Sequence, residues 1–526
     1  MNSAPHVPPA AEPGALGPAQ TRGPGGTLRK GILPLWAVYG IALGILAPSS
    51  TLALSTGLIS ETAGNLSWLT WVVTAVIVLS FALGISWLTR RFASTGGLYG
   101  LAARAGGRAG GFSVMSAHVL ALLLAGPACA LGSAIYLDAW LERIGMPADH
   151  TAAVVAIAVV GVVAANVWLC YREVKLSARL LLAIEFATVG VILILFCVVL
   201  VKAPGGIIDR RQLHFGGMHV SSILEAGGFA VFALAGFENV ATLGREARNP
   251  RRSIGLAMTG SIVALGLLYV FASYVIVLGF KGISFAGSAA PLDTLASRNG
   301  VGWLGYAIDL GVAVSFFGSS LGIMAGTSRT VYTLAKDRVL PAGLAKIHAT
   351  QRTPVAAVTA LGALYLILGV AGAALTSPDN SYGYLGTLSG YLLVLAYGLT
   401  TLVAGVYAAR TGSFRAGIAL ATLVALAGIA LVYWFSFRPF PQGAYGVVAW
   451  CFVGCVALAL ITYATLRLRW PAALTKIGRT DRAAQADEPE PAPDPVPSQA
   501  AGQAPLPMDT LVTDTLVTDT LVTEGH

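Results

Sequence analysis

GFAVFALAGFENVATLGREARNPRRS, residues Gly228–Ser253, begins apolar, ends basic and is interrupted between. Gly236 breaks a run that otherwise suits a helix, Glu238 follows two residues later, and Arg245, Arg248, Arg251 and Arg252 close the stretch. Glycine permits dihedrals that other residues avoid, and a carboxylate in apolar surroundings needs donors close by. The segment reads as a helix that unwinds part-way along.

The rest of the chain explains why such a helix would exist. Of 526 residues, 56% are apolar and 11% are charged, with a mean hydropathy of +0.74. That charge content is too low to cover a water-facing surface of this size, and apolar runs repeatedly reach the ~20 residues that cross a hydrocarbon core. Twelve candidate spans lie near 33–57, 66–89, 112–139, 151–170, 177–201, 223–244, 254–280, 302–332, 355–375, 382–409, 415–435 and 444–466. The runs are too long and too uniformly apolar for barrel strands, so an all-α integral membrane protein is expected.

Lys and Arg orient these spans. Alternate connections hold 26 of the 33 basic residues, and the other side keeps Arg143, Lys202, Arg210, Arg211, Lys281, Arg298 and Arg438. The basic side is expected to be cytoplasmic, which places both termini in the cytoplasm and the chain in the cytoplasmic membrane. The net charge of +9 is then a matter of topology and anionic lipid, with no need of nucleic acid. The N-terminal tail, residues 1–30, is rich in Pro, Gly and Ala and lacks a signal-peptide pattern. Residues 471–526 are Pro-, Ala- and acid-rich and end in DTLVTDTLVTDTLVTE (Asp509–Glu524), a five-residue repeat that reads as a disordered cytoplasmic tail.

Enzyme and cofactor signatures are weak. Cys129, Cys170, Cys197, Cys451 and Cys455 all fall in expected spans without a CxxC, so they read as small buried hydrophobes rather than metal or redox ligands. The glycine-rich, basic TGGLYGLAARAGGRAGG has no GxxxxGK[ST] and is expected to form a surface or re-entrant loop around Gly106 and Gly107. His118, the histidine within a span, reads as a satisfied polar group or a proton relay. No cofactor, metal or enzyme activity is expected.

A second interrupted helix lies five spans upstream of the first. YGIALGILAPSSTLALSTG (Tyr39–Gly57) carries Gly40, Gly44, Pro48 and Gly57. Broken helices in corresponding positions of two halves point to a transporter binding site. A repeat of five spans must be inverted, because its second copy starts on the opposite side of the membrane. If the chain is built from two such repeats, they would cover about 31–202 and 221–410, which leaves 414–470, within a membrane domain of 31–470. Pro48 withholds an N–H, and half-helix N-termini offer amides and positive dipole ends to a carboxylate. Ala47, Ser49, Ser50 and Thr51 from the first break, with Ala235, Gly236, Phe237 and Glu238 from the second, are the candidate substrate contacts.

These residues carry a resemblance. FALAGFENVATLGREARNPRRSI (Phe232–Ile254) resembles the sixth-span signature of the amino acid/polyamine/organocation permeases, in which GFE follows an aromatic half-helix and an EE-x-x-NP-x-x-x-I segment forms the next loop. RRFASTGGLYGLAARAGG (Arg90–Gly107), YREVKLSARLLLAIE (Tyr171–Glu185) and GTSRTVYTLAKDRVLPAGLAKIHATQRTPVAA (Gly326–Ala357) resemble further family segments in order and spacing. The resemblance covers about residues 30–470 and implies a five-plus-five inverted-repeat core with broken helices 1 and 6, two added helices, secondary active transport and alternating access. Two departures stand out: Ala47-Pro48-Ser49-Ser50 replaces the family's G-S/A-G-like triplet, and Arg245 stands where an acid is frequent, leaving Glu246.

Glu238 is either a ligand for a cationic group, a proton carrier, or a pin that holds the broken helix by accepting backbone N–H bonds. Ser319 and Ser320 resemble the paired hydroxyls of sodium-coupled relatives on this fold, where hard oxygens suit a cation. Some proton-coupled relatives use a fifth-span lysine instead. RLLLAIEFATVGV (Arg179–Val191) has none, which leaves Glu185, Asp309 and Glu238 for protons. Phe232, Phe237 and Phe316 are candidate apolar gates. The expected function is secondary transport of amino acids or related amines, driven by H+ or Na+. The alternatives are a polyamine or organic-cation permease, an exchanger, or a non-transporting nutrient sensor.

Overall fold

Among the described residues every regular element is a helix, and eleven are long and apolar enough to cross a membrane. A backbone in lipid must satisfy its own hydrogen bonds, and the helix does so within a single segment. The computed structural model describes residues 34–92, 97–146, 152–172, 178–203, 205–215, 220–245, 248–281, 290–348 and 353–478. The expected tail 1–30, Glu246 and the terminal repeats lie outside the described residues.

The first apolar segment, Pro48–Thr89, has 42 residues, about twice what one crossing needs. A 3-10 turn at Gly64–Leu66 divides it, leaving residues 48–63 as one leg and Ser67–Thr89 as the other. Ahead of it lies Leu35–Leu46, a helix of 12 residues whose ~18 Å rise is too short to cross alone. Ala47 joins the two in the left-handed region, with φ 43° and ψ 62°. That conformation costs a residue with a Cβ about 1–2 kcal/mol, and the proline that follows cannot donate an N–H to continue the ladder.

The second interruption matches the opening stretch. Gly227–Ala233 is helical, residues 234–236 turn, and Phe237–Arg245 continues as a 3-10 helix. Gly236 makes the turn at φ 111°, a dihedral that a side chain would oppose. Leu35–Leu46 packs against Phe237–Arg245, and Thr51–Ser55 packs against Gly227–Ala233. Each half of one broken helix thus meets the opposite half of the other, so the pair runs antiparallel.

Two long helices back this pair. Gly97–Arg143 bends at Gly107, with φ 65° and ψ −155°, so the loop expected around Gly106 and Gly107 is a helix that ends in a kink. Pro378–Arg410 lies along Gly97–Arg143, where Ser389 Oγ donates to the Ala121 carbonyl at 2.9 Å. It also touches the sixth-span backbone: a Cβ at Gly390 would come within 2.0 Å of the Gly228 carbonyl oxygen, so only glycine fits there.

The last two long helices, Ala416–Ser436 and Gly443–Arg469, have most of their apolar windows uncovered, with 28% and 22% buried. Leu420, Leu423, Leu458, Leu460 and Ile461 are exposed on them, a surface that suits lipid and not water. The chain does not leave the bundle at 471 as the tail boundary anticipated. Pro471–Leu474 adds a helical turn, Leu474 and Ile477 are buried with Tyr99, Phe112, Met115 and Leu334, and the Tyr99 hydroxyl accepts the Gly478 N–H.

Candidate substrate site

The two breaks adjoin each other. Thr51 Oγ1 donates to the Ala233 carbonyl at 3.1 Å, tying the first turn after Pro48 to the last helical residue before the sixth-span turn. Ser50 Oγ donates to the Ala47 carbonyl at 2.7 Å, which satisfies one acceptor freed by the missing helical ladder. The Ser49 N–H donates to Glu185 Oε1 at 2.7 Å, so the fifth-span carboxylate occupies the helix N-terminus that opens at Pro48, where an anion is favoured. Ala47, Ser49, Ser50 and Thr51 are all buried.

Glu238 is equally enclosed. Oε2 accepts the Gly236 N–H at 3.0 Å and the Tyr397 hydroxyl at 2.8 Å, and His118 Nε2 lies 3.3 Å from Oε1. The carboxylate therefore closes the turn around Gly236 and links it to two neighbouring helices. Of the three sequence readings for Glu238, pinning the break is the one for which the structure supplies bonds. His118 and Tyr397 were not expected as its partners. A lone histidine in a span hinted at one, and nothing in YGLTTLV around Tyr397 distinguishes that tyrosine from an ordinary bundle residue.

The aromatic candidates divide. The rings of Phe232 and Phe316 both meet Tyr382, at centroid distances of 6.1 and 5.6 Å, and the Tyr382 hydroxyl lies 3.0 Å from Ser55 Oγ. Together they cap one side of the breaks. Phe237 packs instead on Tyr397 at 5.0 Å, beside Glu238. Tyr382 and Tyr397 stand 15 residues apart on Pro378–Arg410, about 22 Å of rise, so a single helix buttresses both ends of the site. Tyr382 was not singled out by sequence.

The coupling candidates separate as well. Ser319 Oγ donates within its own helix to the Ser315 carbonyl, and Ser320 Oγ donates to the Gly126 carbonyl, each at 3.1 Å. Ser315, one turn earlier, is the span-eight hydroxyl placed beside Glu185. Asp309 is six residues before Ser315, ~9 Å of rise away, and accepts Arg143 Nε at 3.2 Å. Arg143 also contacts Asp293 and donates to the Gly302 carbonyl, so Asp309 belongs to an ion-paired cluster at the end of its helix. Ala235 and Gly236 are partly exposed within the turn itself.

Helices interrupted in a matched pair, with polar groups converging on the interruptions, are a transporter's architecture, and comparison with known proteins agrees. The family model described as amino acid permease matches residues 33–466. The chain belongs to the amino acid permease family. This permease is 32% identical over 337 residues to an uncharacterized transporter of Mycobacterium bovis, covering 63% of this chain and 70% of that one. It is 24% identical to the branched-chain amino acid permease BcaP of Bacillus subtilis, over 69% of this chain and 77% of the relative, and 24% identical to the glutamate/serine transporter AimA of the same organism, over 56% and 57%. A manganese transporter of Eremococcus coleocola has the same fold, with a TM-score of 0.53 at 14% identity, covering 85% of this chain and 95% of that one. This permease is a multi-pass membrane protein and an amino acid transporter, not an enzyme.

Proposed function

We propose that the permease is a secondary transporter that moves amino acids or related amines across the cytoplasmic membrane by alternating access, driven by a proton or sodium gradient, with both termini in the cytoplasm. The observation that carries this reading is the direct bond between the two breaks, from Thr51 Oγ1 to the Ala233 carbonyl. The amides that follow Pro48 suit a carboxylate, and the carbonyls and hydroxyls around residues 47–51 and 234–236 suit an ammonium group. Ser49, Ser50, Thr51, Ala47, Ala235 and Gly236 are the backbone contacts in this reading, and Phe232 and Phe316 exclude water on the Tyr382 side. Glu238, already held by the Gly236 N–H and the Tyr397 hydroxyl with His118 beside it, sets the shape of the site, and Glu185 is the coupling carboxylate.

The relatives named above carry unlike substrates, a branched-chain set in one and glutamate and serine in another, so the side-chain preference of this chain is its own. Reconstituted protein loaded with radiolabelled amino acids and polyamines in turn tests the reading, under an imposed proton gradient, a sodium gradient, or neither. Accumulation of at least one amino acid that depends on one gradient supports it. Binding without flux identifies a sensor, and flux indifferent to both gradients identifies an exchanger.

A further inference from the structure

Glu185 does more than lie near the first break: its carboxylate occupies the place where a substrate carboxylate would go. Pro48 has no N–H, and the Thr51 N–H is used by the Pro48 carbonyl, which leaves Ser49 and Ser50 as the amides that open the helix. Glu185 takes the first of them at 2.7 Å. Both partners are buried, Ser49 at 0% and Glu185 at 5% exposure. Around them the Ser49 and Ser315 hydroxyls approach the Glu185 carboxylate and the Tyr269 hydroxyl approaches Thr51, and none of the three completes a close hydrogen bond, although polar atoms this deep are ordinarily paired. Three buried hydroxyls held only loosely around a carboxylate mark a place able to take a further polar group.

The side chains that approach the Glu185 carboxylate are Ser49 and Ser315, with Tyr269 nearby, none of them a cation. The helices packed against Ala178–Lys202 carry other ionisable side chains that are engaged elsewhere or distant. Tyr39 donates to the Leu256 carbonyl, Tyr274 donates to the Ile207 carbonyl, Asp309 pairs with Arg143, and Tyr306 donates to the Arg143 carbonyl. Arg252 is exposed at the start of Pro250–Phe280. Arg329, Tyr332 and Lys336 begin 14 residues beyond Ser315, ~21 Å along that helix.

We propose, resting on the transporter reading above, that Glu185 is a built-in stand-in for the substrate carboxylate, holding the Ser49 amide while the site is empty and yielding it, with uptake of one proton, when substrate binds. Two carboxylates at one helix N-terminus cannot both stay ionised, because like charges at that distance raise the proton affinity of the pair. The proton comes from the solution that delivers the substrate and bonds to a Glu185 oxygen, whose new O–H then donates to the Ser49 or Ser315 hydroxyl. When substrate leaves on the other side, Glu185 returns its proton to that solution and recovers the Ser49 N–H. One proton thus crosses with each carboxylate, and an amine lacking a carboxylate carries none.

The test uses the full-length protein in detergent. The twenty amino acids are screened for thermal stabilisation, and the tightest binder is then titrated in weak buffer with a pH-indicator dye. Wild type is expected to take up about one proton per amino acid bound, with affinity weakening about tenfold per pH unit where Glu185 must be protonated. E185Q keeps an acceptor for Ser49 without the charge. It is expected to bind the same amino acid without proton uptake, with pH-independent affinity at least tenfold tighter than wild type at about pH 8.5. Binding by wild type without proton uptake, undiminished uptake in E185Q, or equal uptake with the decarboxylated amine overturns the proposal and leaves the transporter reading intact. If E185Q does not fold, the wild-type proton count and the amine comparison still decide. Failure of every amino acid to bind overturns the proposal and that reading together.

Discussion

Replacing Tyr397 by Phe removes one hydroxyl and little else. The ring keeps its contacts with Phe237 at 5.0 Å and Phe81 at 6.0 Å, while Glu238 loses the shortest of its three contacts, the 2.8 Å bond. Hydrogen bonds to a charged group contribute about 1.5–3 kcal/mol, and Glu238 is 4% exposed, so water does not readily replace the missing donor. The turn around Gly236 should therefore open about 10- to 100-fold more often, at roughly 1.4 kcal/mol per tenfold. Hydrogen exchange reads this directly: amides in 234–240 lose that much protection in Y397F while those in Ala416–Ser436 do not. Substrate KM should weaken at least about tenfold, because the turn supplies half of the site. Wild-type exchange across 234–240 together with a wild-type KM would refute the idea that Glu238 holds this break in shape.

Three further outcomes follow from contacts at and beyond the site. In G132A the new Cβ would sit 2.8 Å from the Phe316 ring, an overpacking that costs about 1–3 kcal/mol; uptake falls and melting temperature drops, and F316L in the same chain restores part of both. T51A removes the bond to the Ala233 carbonyl, worth about 0.5–1.5 kcal/mol, and raises KM roughly two- to tenfold in uptake assays, whereas T51S leaves it near wild type. Outside the spans, burial pushes the Asp209 carboxyl up, and the hydrogen bonds and charge of Arg211 more than offset this, holding it below the usual carboxylate range. Its contribution is then present above about pH 4 and lost as pH falls through the lowered folded value. Exchange protection of residues 207–212 should fall on acidification in wild type, and D209N should lack that pH dependence.

The fold was legible because lipid leaves few choices. Apolar runs of crossing length with almost no internal charge can only be helices, and Pro48 and Gly236 announce the two interruptions through what they cannot or can do with the backbone. What sequence did not reveal were contacts between residues far apart in the chain. Tyr397 is 159 positions from Glu238 and Tyr382 is 327 from Ser55, and neither tyrosine sits in a pattern that differs from bundle packing. Ser319 and Ser320 attracted notice as a pair, yet helix rotation turns Ser315 toward Glu185 and sends the pair's hydroxyls to carbonyls of their own and a neighbouring helix. Asp309 was readable as a span carboxylate, but its partner Arg143, from another helix, was not. Glu185 was readable as a carboxylate in the fifth span; its grip on the Ser49 amide was not, because that N–H is freed by the break at Ala47 and Pro48, 136 positions away.

An experimentally determined structure with a transported amino acid bound tests the central claim most directly. The account predicts ligand density between the two interruptions, with the carboxylate within about 2.7–3.2 Å of an amide at Ser49 or Ser50 and the ammonium group facing carbonyls of residues 47 or 233–236. Substrate lodged elsewhere, with the Ser49 N–H still held by Glu185 and both turns untouched, would contradict it.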